Sequence, residues 1–168
     1  MDNVNIQKEM RTAIKKGDLE QVILLTSNNK EVLALNTPFG SWLHVAASFG
    51  KLDIVKYLIS SGLDVNGRSG VFGGAAIKEA ASDGHLEVVS YLIEQGSELD
   101  VSDSQRNPLF GAIYGGHMEI VKLLIAKGID VSVKYTGSSM TNMDAYAFAL
   151  ERGQTAIAEI LKAAGSQN

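Results

Sequence analysis

The chain carries the same pattern of apolar and polar positions five times. Each copy begins at a glycine, and apolar residues follow it at spacings of three and four, as in "GKLDIVKYL" from Gly50 and "GHMEIVKLL" from Gly116. Such spacing predicts a helix that buries one side. The glycines lie between 32 and 37 residues apart, at Gly17, Gly50, Gly84, Gly116 and Gly153. A period of this length predicts a solenoid in which each unit packs against its neighbours.

The residues before each glycine predict a further helix in every unit. An alanine stands four residues before the glycine in all five copies, at Ala13, Ala46, Ala80, Ala112 and Ala149. This register predicts a helix crossing that is too close for a larger side chain. A second set of glycines follows the second helices and predicts left-handed caps, at Gly62, Gly96, Gly128 and Gly165. Each unit is therefore predicted to contain a helix, a tight turn, a second helix and a projecting loop.

Two stretches of the chain resemble the ankyrin repeat family. They are "SWLHVAASFGKLDIVKYLISSGLDVN" from Ser41 and "NPLFGAIYGGHMEIVKLLIAKGIDV" from Asn107, and weaker similarity extends over roughly residues 6 to 165. The resemblance implies an all-α ankyrin-repeat solenoid of about five helix-turn-helix units with short hairpin-like loops. We expect one domain over residues 1–168, with units at about 1–36, 37–66, 67–100, 101–131 and 132–168. The first and last units are interpreted as caps, and "KYTGSSMTNMDAY" predicts a longer loop in the last one.

Composition narrows the classes of partner. Hydrophobic residues make up 45% and charged residues 20% of the chain, as in a soluble folded protein. Neither an uncharged apolar stretch of bilayer length nor a signal peptide is recognisable, which predicts a cytoplasmic protein without membrane contact. The net charge of −4 and the lack of a basic cluster argue against nucleic acid as a partner. With no cysteine, the chain has neither disulfides nor thiolate ligands. We expect a monomer.

The residues that could take part in catalysis or ligand binding are better explained by structural roles. His44, His85 and His117 occupy repeat registers, and no carboxylate accompanies them at metal-ligand spacing. The glycine-rich stretch "GVFGG" at residues 70–74 lacks the Lys-Ser/Thr of a phosphate-binding loop. No nucleophile and base can be paired from spacing. The sequence therefore predicts neither a cofactor nor a metal site, and a protein that is not an enzyme.

The resemblance implies protein binding through a concave face, formed by the loop tips and the first helices of the units. Aromatic residues at these positions would act as anchors, and carboxylates would steer a basic partner. The residues predicted to contact the partner are Phe49, Arg68, Phe72, Glu79, Asp83, Arg106, Tyr114, Tyr135 and Arg152. For Phe39 and Phe72 the alternative is packing between neighbouring loops. Trp42, at a helix start, is expected to be structural.

Three functions remain open from the sequence. The small size of the protein and the segments "NPLFGAI" and "VKYTG" resemble those of bacterial immunity proteins, which bind and neutralise a cognate toxin domain. That resemblance implies a toxin domain as the partner. The first alternative is a general scaffold or regulatory adaptor. The second, from another class, is a small enzyme or ligand-binding module.

Overall fold

In the part of the chain that the structure describes, the fold is an array of five helix pairs. The computed structural model describes residues 3–71, 73–137 and 140–165. The helices within these residues are α1 (Asn3–Lys16), α2 (Leu19–Asn28), α3 (Trp42–Ser48), α4 (Leu52–Ser60), α5 (Ala76–Asp83), α6 (Leu86–Glu94), α7 (Pro108–Gly115), α8 (Met118–Ala126), α9 (Ala145–Glu151) and α10 (Thr155–Gly165). Each predicted unit contains one pair, and the predicted helix-turn-helix array is confirmed.

Glycine is required at the turn between the two helices of a pair. The five glycines that mark the repeat all have φ between 65° and 86°. This left-handed region strains any residue that has a Cβ atom. At Gly50 an added Cβ would also overlap the ring of His85 from the next unit. The repeated glycine thus permits both the turn and the contact between units.

The second set of glycines follows the prediction at three of its four positions. Gly62, Gly96 and Gly128 have φ of 98°, 87° and 82°, as expected for left-handed caps. The prediction was wrong for Gly165, which is the last residue of α10 and does not have a positive φ. The reason is that α10 has 11 residues, whereas α4 has nine, so Gly165 lies within the last helical turn.

The helices enclose one continuous apolar core. The repeated alanines are between 0% and 3% exposed, and the apolar stripes of the second helices are buried beside them. Helices α5 and α7 approach so closely that a Cβ added at Gly111 would lie 2.5 Å from Ser82 Oγ. The predicted burial of the small-residue register is confirmed, and it allows neighbouring first helices to pack in contact.

The loops differ more than the helices do. The longest loop contains an antiparallel hairpin of β1 (Tyr135–Gly137) and β2 (Met140–Met143), which confirms the longer loop predicted for the last unit. The first loop contains a 3-10 helix (Lys30–Ala34) that the repeat pattern did not predict. The indole N–H of buried Trp42 donates to Val32 O at 2.7 Å, which confirms the structural role expected for Trp42.

Candidate protein-binding face

The three histidines join neighbouring units. His44 is buried, and its Nε2 donates to Gly74 O at 2.9 Å while its Nδ1 lies 2.9 Å from Ser41 Oγ. Burial lowers the pKa of His44 below its usual value, because the neutral imidazole is easier to desolvate than the cation. His44 therefore acts as a neutral link between α3 and the following loop, in agreement with the structural role predicted for it.

His85 and His117 make one contact twice, in successive turns. The Nε2 of His85 donates to Ser48 O at 2.7 Å, and the Nε2 of His117 donates to Ser82 O at 3.0 Å. Each bond connects a turn to the end of the preceding first helix. Over residues 3–71, 73–137 and 140–165, His, Cys, Asp and Glu side chains form no group of three or more that could hold a metal ion.

A first groove lies between α1, α3 and two loop tips, on the face that the resemblance predicts to be concave. Its walls include Arg11 from α1, Phe49 from the end of α3, and Phe39 and Val71 from the loops. Phe49 is half-buried, whereas Phe39 and Val71 are 55% and 80% exposed. The groove therefore combines an apolar wall with one guanidinium group.

The second groove lies between α5, α7 and the hairpin of the last unit. It encloses about 560 Å³ and is lined by Glu79 and Asp83 on one side and by Tyr114, Met140 and Phe148 on the other. Glu79 also lines the first groove, so the two grooves adjoin at α5. Together they extend along all five units, with an acidic centre flanked by aromatic side chains.

Tyr114 is the most exposed aromatic residue among those predicted to bind a partner and described by the structure. It lies near the end of α7 with 61% of its surface exposed. The guanidinium of Arg152, just after α9, lies over its ring with Cζ 4.3 Å from the centroid. The structure thus brings together two predicted residues from different units.

The predicted acidic residues already have partners within the chain. Asp83 Oδ2 accepts a hydrogen bond from Ser48 Oγ at 2.6 Å, and Glu79 Oε1 lies 3.7 Å from Lys78 Nζ. Both acids still line the second groove. Of the two, Glu79 lies near a cation of the protein, whereas the partner of Asp83 is a neutral hydroxyl.

Tyr135 holds two loops together. Its hydroxyl donates to Val101 O at 2.7 Å and accepts from Asn107 Nδ2 at 3.0 Å. Its ring and that of Phe110 are nearly perpendicular, with centroids 4.9 Å apart. Burial raises the pKa of the Tyr135 phenol. Only the remaining part of this half-buried side chain is accessible to a partner.

The other predicted residues lie along the loops. Arg68 Nη2 is 2.9 Å from Asp100 Oδ2 of the next loop, and half-buried Arg106 lies against Gly74. These two arginines are therefore in contact with neighbouring loops. Phe72 lies outside the described residues.

Arg11 was not predicted from the sequence. Its Cζ lies 4.1 Å from the centroid of the Phe39 ring, so that it forms part of the first groove. The repeat pattern could have indicated this contact, because Arg11 occupies the register of His44, six residues before the repeated glycine. His44 in that register contacts a loop, which indicates that Arg11 would do so as well.

A family described as ankyrin repeats (3 copies) matches residues 10–103, 43–135 and 80–168, in overlapping segments that cover most of the chain. No curated protein gave a significant match. None of the helices in the described part of the chain has the length and apolar character needed to cross a bilayer. With the repeat registers, the five helix pairs and the family match in agreement, the chain belongs to the ankyrin repeat family.

Proposed function

We propose that the protein binds a partner protein through the concave face, with Tyr114 as the central anchor. Ankyrin repeats are protein-protein interaction modules, which supports this class of function. The observation that carries the choice of face is the exposure of Tyr114, 61%, on the wall of a groove. Exposed aromatic side chains beside a recess are typical anchors of interfaces.

The second helices offer a less suitable surface. Among the described residues, their large exposed apolar side chains are Ile23 and Leu24 on α2 and Leu86 on α6. On α8, Lys122 Nζ lies 2.7 Å from Glu119 Oε1 in an exposed pair on the same helix. Scattered apolar residues and local ion pairs are ordinary features of a solvated surface.

The proposed contact patch includes Phe49, Asp83 and Tyr114, with Glu79 at the junction of the two grooves. Arg152 supports the ring of Tyr114 from the last unit. Arg68, Arg106 and Tyr135 contribute by holding the loops in position and by their accessible edges. Phe72 remains part of the proposed patch on the basis of the sequence alone.

Photo-crosslinking tests the face and captures the partner in the same experiment. A benzophenone amino acid replaces Tyr114, and in a matched variant it replaces Tyr91, which lies on the second helix α6. In the cell that produces the protein, we expect a specific crosslinked protein from position 114 and none from position 91. Crosslinks from position 91 alone would rule out the concave face.

Binding measurements then test the anchor. We expect Tyr114→Ala to weaken affinity for the crosslinked partner by about 30-fold, equivalent to about 2 kcal/mol. Lys56→Ala, on the exposed side of α4, is the control and should bind like the parent. Equal affinity for all three proteins would show that Tyr114 is not an anchor.

For the biological role, we propose neutralisation of a bacterial toxin domain in the cytoplasm, by a monomer. The similarity of "NPLFGAI" and "VKYTG" to immunity proteins supports this role. The test is co-expression with the C-terminal domain encoded by the neighbouring gene. We expect the parent and Lys56→Ala to restore growth and Tyr114→Ala to fail. A crosslinked partner without toxicity would instead favour a scaffold or adaptor.

A further inference from the structure

We infer that the partner presents an acidic, extended segment whose carboxylates are bound by two arginines stacked on aromatic rings. The inference rests on the proposed function and names the chemistry of the partner. The two arginine-aromatic pairs are Arg11 with Phe39 and Arg152 with Tyr114, and we call them the arginine platforms. In each, an arginine from one unit lies over a ring from the neighbouring unit, at 4.1 Å and 4.3 Å.

The aromatic ring leaves the arginine suited to bind a carboxylate. A guanidinium over a ring uses its face for the contact, while its N–H groups point outward in its own plane. A carboxylate can accept two of these N–H groups in parallel. Phe39 and Tyr114 are 55% and 61% exposed, so a partner can reach both platforms.

The charge at the two platforms favours acidic groups of the partner at these two positions. In the described part of the chain, neither Arg11 nor Arg152 forms an ion pair with a carboxylate. By contrast, Arg68 is paired with Asp100, and the acids of the second groove contact groups of the protein itself. The charge that remains available to a partner on the two platforms is therefore positive, although the whole chain has a net charge of −4.

The distance between the platforms defines the length of the partner segment. One platform joins the first two units and the other joins the last two, which separates them by three spacings between first helices. At about 8–10 Å per spacing, the platforms are about 25–30 Å apart. An extended chain at about 3.3 Å per residue covers that distance in about eight or nine residues. One side chain cannot contact both, so two acidic positions are needed.

The surface between the platforms indicates apolar residues between the two acidic positions. Val71, 80% exposed, and half-buried Phe49 line the first groove, and Met140 and Phe148 line the second. Carboxylates placed in the centre would meet Glu79 and Asp83 and be repelled. The segment is therefore acidic near its ends and apolar in its middle.

Selection from a library of displayed random 16-residue peptides on the full-length protein tests the inference. We expect enriched peptides to have Asp or Glu at two positions about eight or nine residues apart, with apolar residues between them. Measured by fluorescence anisotropy, Arg11→Gln and Arg152→Gln should each weaken binding at least tenfold. Arg11→Lys and Arg152→Lys should not restore it, because an ammonium group lacks the planar fork. Lys56→Gln is the matched control and should bind like the parent, because it removes a cation that lies over the ring of Tyr91 on the second helices.

Several outcomes would overturn the inference. Enrichment of basic peptides, unchanged binding of the glutamine variants, or a selection that yields no peptide would each do so. Circular dichroism verifies that the variants fold, and Phe39→Leu removes the first ring if Arg11→Gln does not fold. These failures are distinct from that of the proposed function, because crosslinking at position 114 would still identify a partner of other chemistry.

Discussion

The two sides of the first helices differ in how much their residues vary from one unit to the next. On the side that faces the core, the same small residue recurs in every unit, and these alanines are between 0% and 3% exposed. On the opposite side the residues differ from unit to unit, as Ser48, Ser82 and Tyr114 do, each two residues before its glycine. Each layer must pack against an equivalent layer, so its inner side is constrained to repeat. The outer side meets only solvent or a partner and is therefore free to vary.

The comparison predicts that changes to the inner side alter stability, whereas changes to the outer side alter binding. The strongest test removes a whole layer. Without residues 132–168, Phe110 loses its stacking partner Phe148 at 4.8 Å and its edge contact with Tyr135. We expect the shortened chain to lose cooperative unfolding and to aggregate, as measured by circular dichroism and gel filtration. A soluble, fully helical product would contradict a required C-terminal cap.

A single added side chain in the inner register should have the next largest effect. Ala112 is 0% exposed at the contact between first helices. Ala112→Leu should lower the free energy of unfolding by about 1–3 kcal/mol, because the neighbouring helix has to move. Ala126→Leu, at an exposed position of α8, is the matched control and should change stability by less than about 0.5 kcal/mol. Equal denaturation midpoints for the two variants would mean that the helix crossing is wrongly placed.

Acid should weaken the link between α3 and the following loop. The pKa of His44 is lowered in the folded protein, so the unfolded chain binds the proton more readily. The contribution of His44 is therefore complete above its unfolded pKa of about 6.5 and declines as the pH falls below it. We expect denaturant titrations to show a loss of stability from pH 7.5 to 5.5 that is smaller in His44→Gln. A pH dependence in His44→Gln as large as that of the parent would contradict this role of His44.

Tyr114 and Tyr135 were both predicted to contact a partner, but their substitution should change stability by different amounts. Tyr135→Phe removes a hydroxyl with two hydrogen-bond partners, and it should cost about 1–2 kcal/mol of stability. Tyr114→Ala removes a whole exposed ring and should cost less than about 1 kcal/mol, mainly the contact with Arg152. Thermal melts compare the two. A larger loss for Tyr114→Ala would place that residue in the core rather than at the binding face.

The sequence alone was sufficient for the architecture, since the features that define it are local and repeated. The glycines predicted the turns, and the alanine register predicted the helix crossings. The histidine registers predicted structural roles, and in the structure His44 contacts Gly74 and His85 contacts Ser48. Where the repeat ends, prediction was less accurate, as at Gly165, because the last helix extends further than those before it.

The tertiary structure alone decided which side chains meet on the concave face. Arg11 reaches Phe39 and Arg152 reaches Tyr114 across unit boundaries, and these contacts depend on how neighbouring units are stacked. Tyr135 looked like an anchor in the sequence, yet the path of the long loop directs its hydroxyl to Val101. Packing between equivalent layers repeats along the chain, so that the sequence alone predicts it. Contacts between unlike loops occur once each, and only the three-dimensional arrangement of the units determines them.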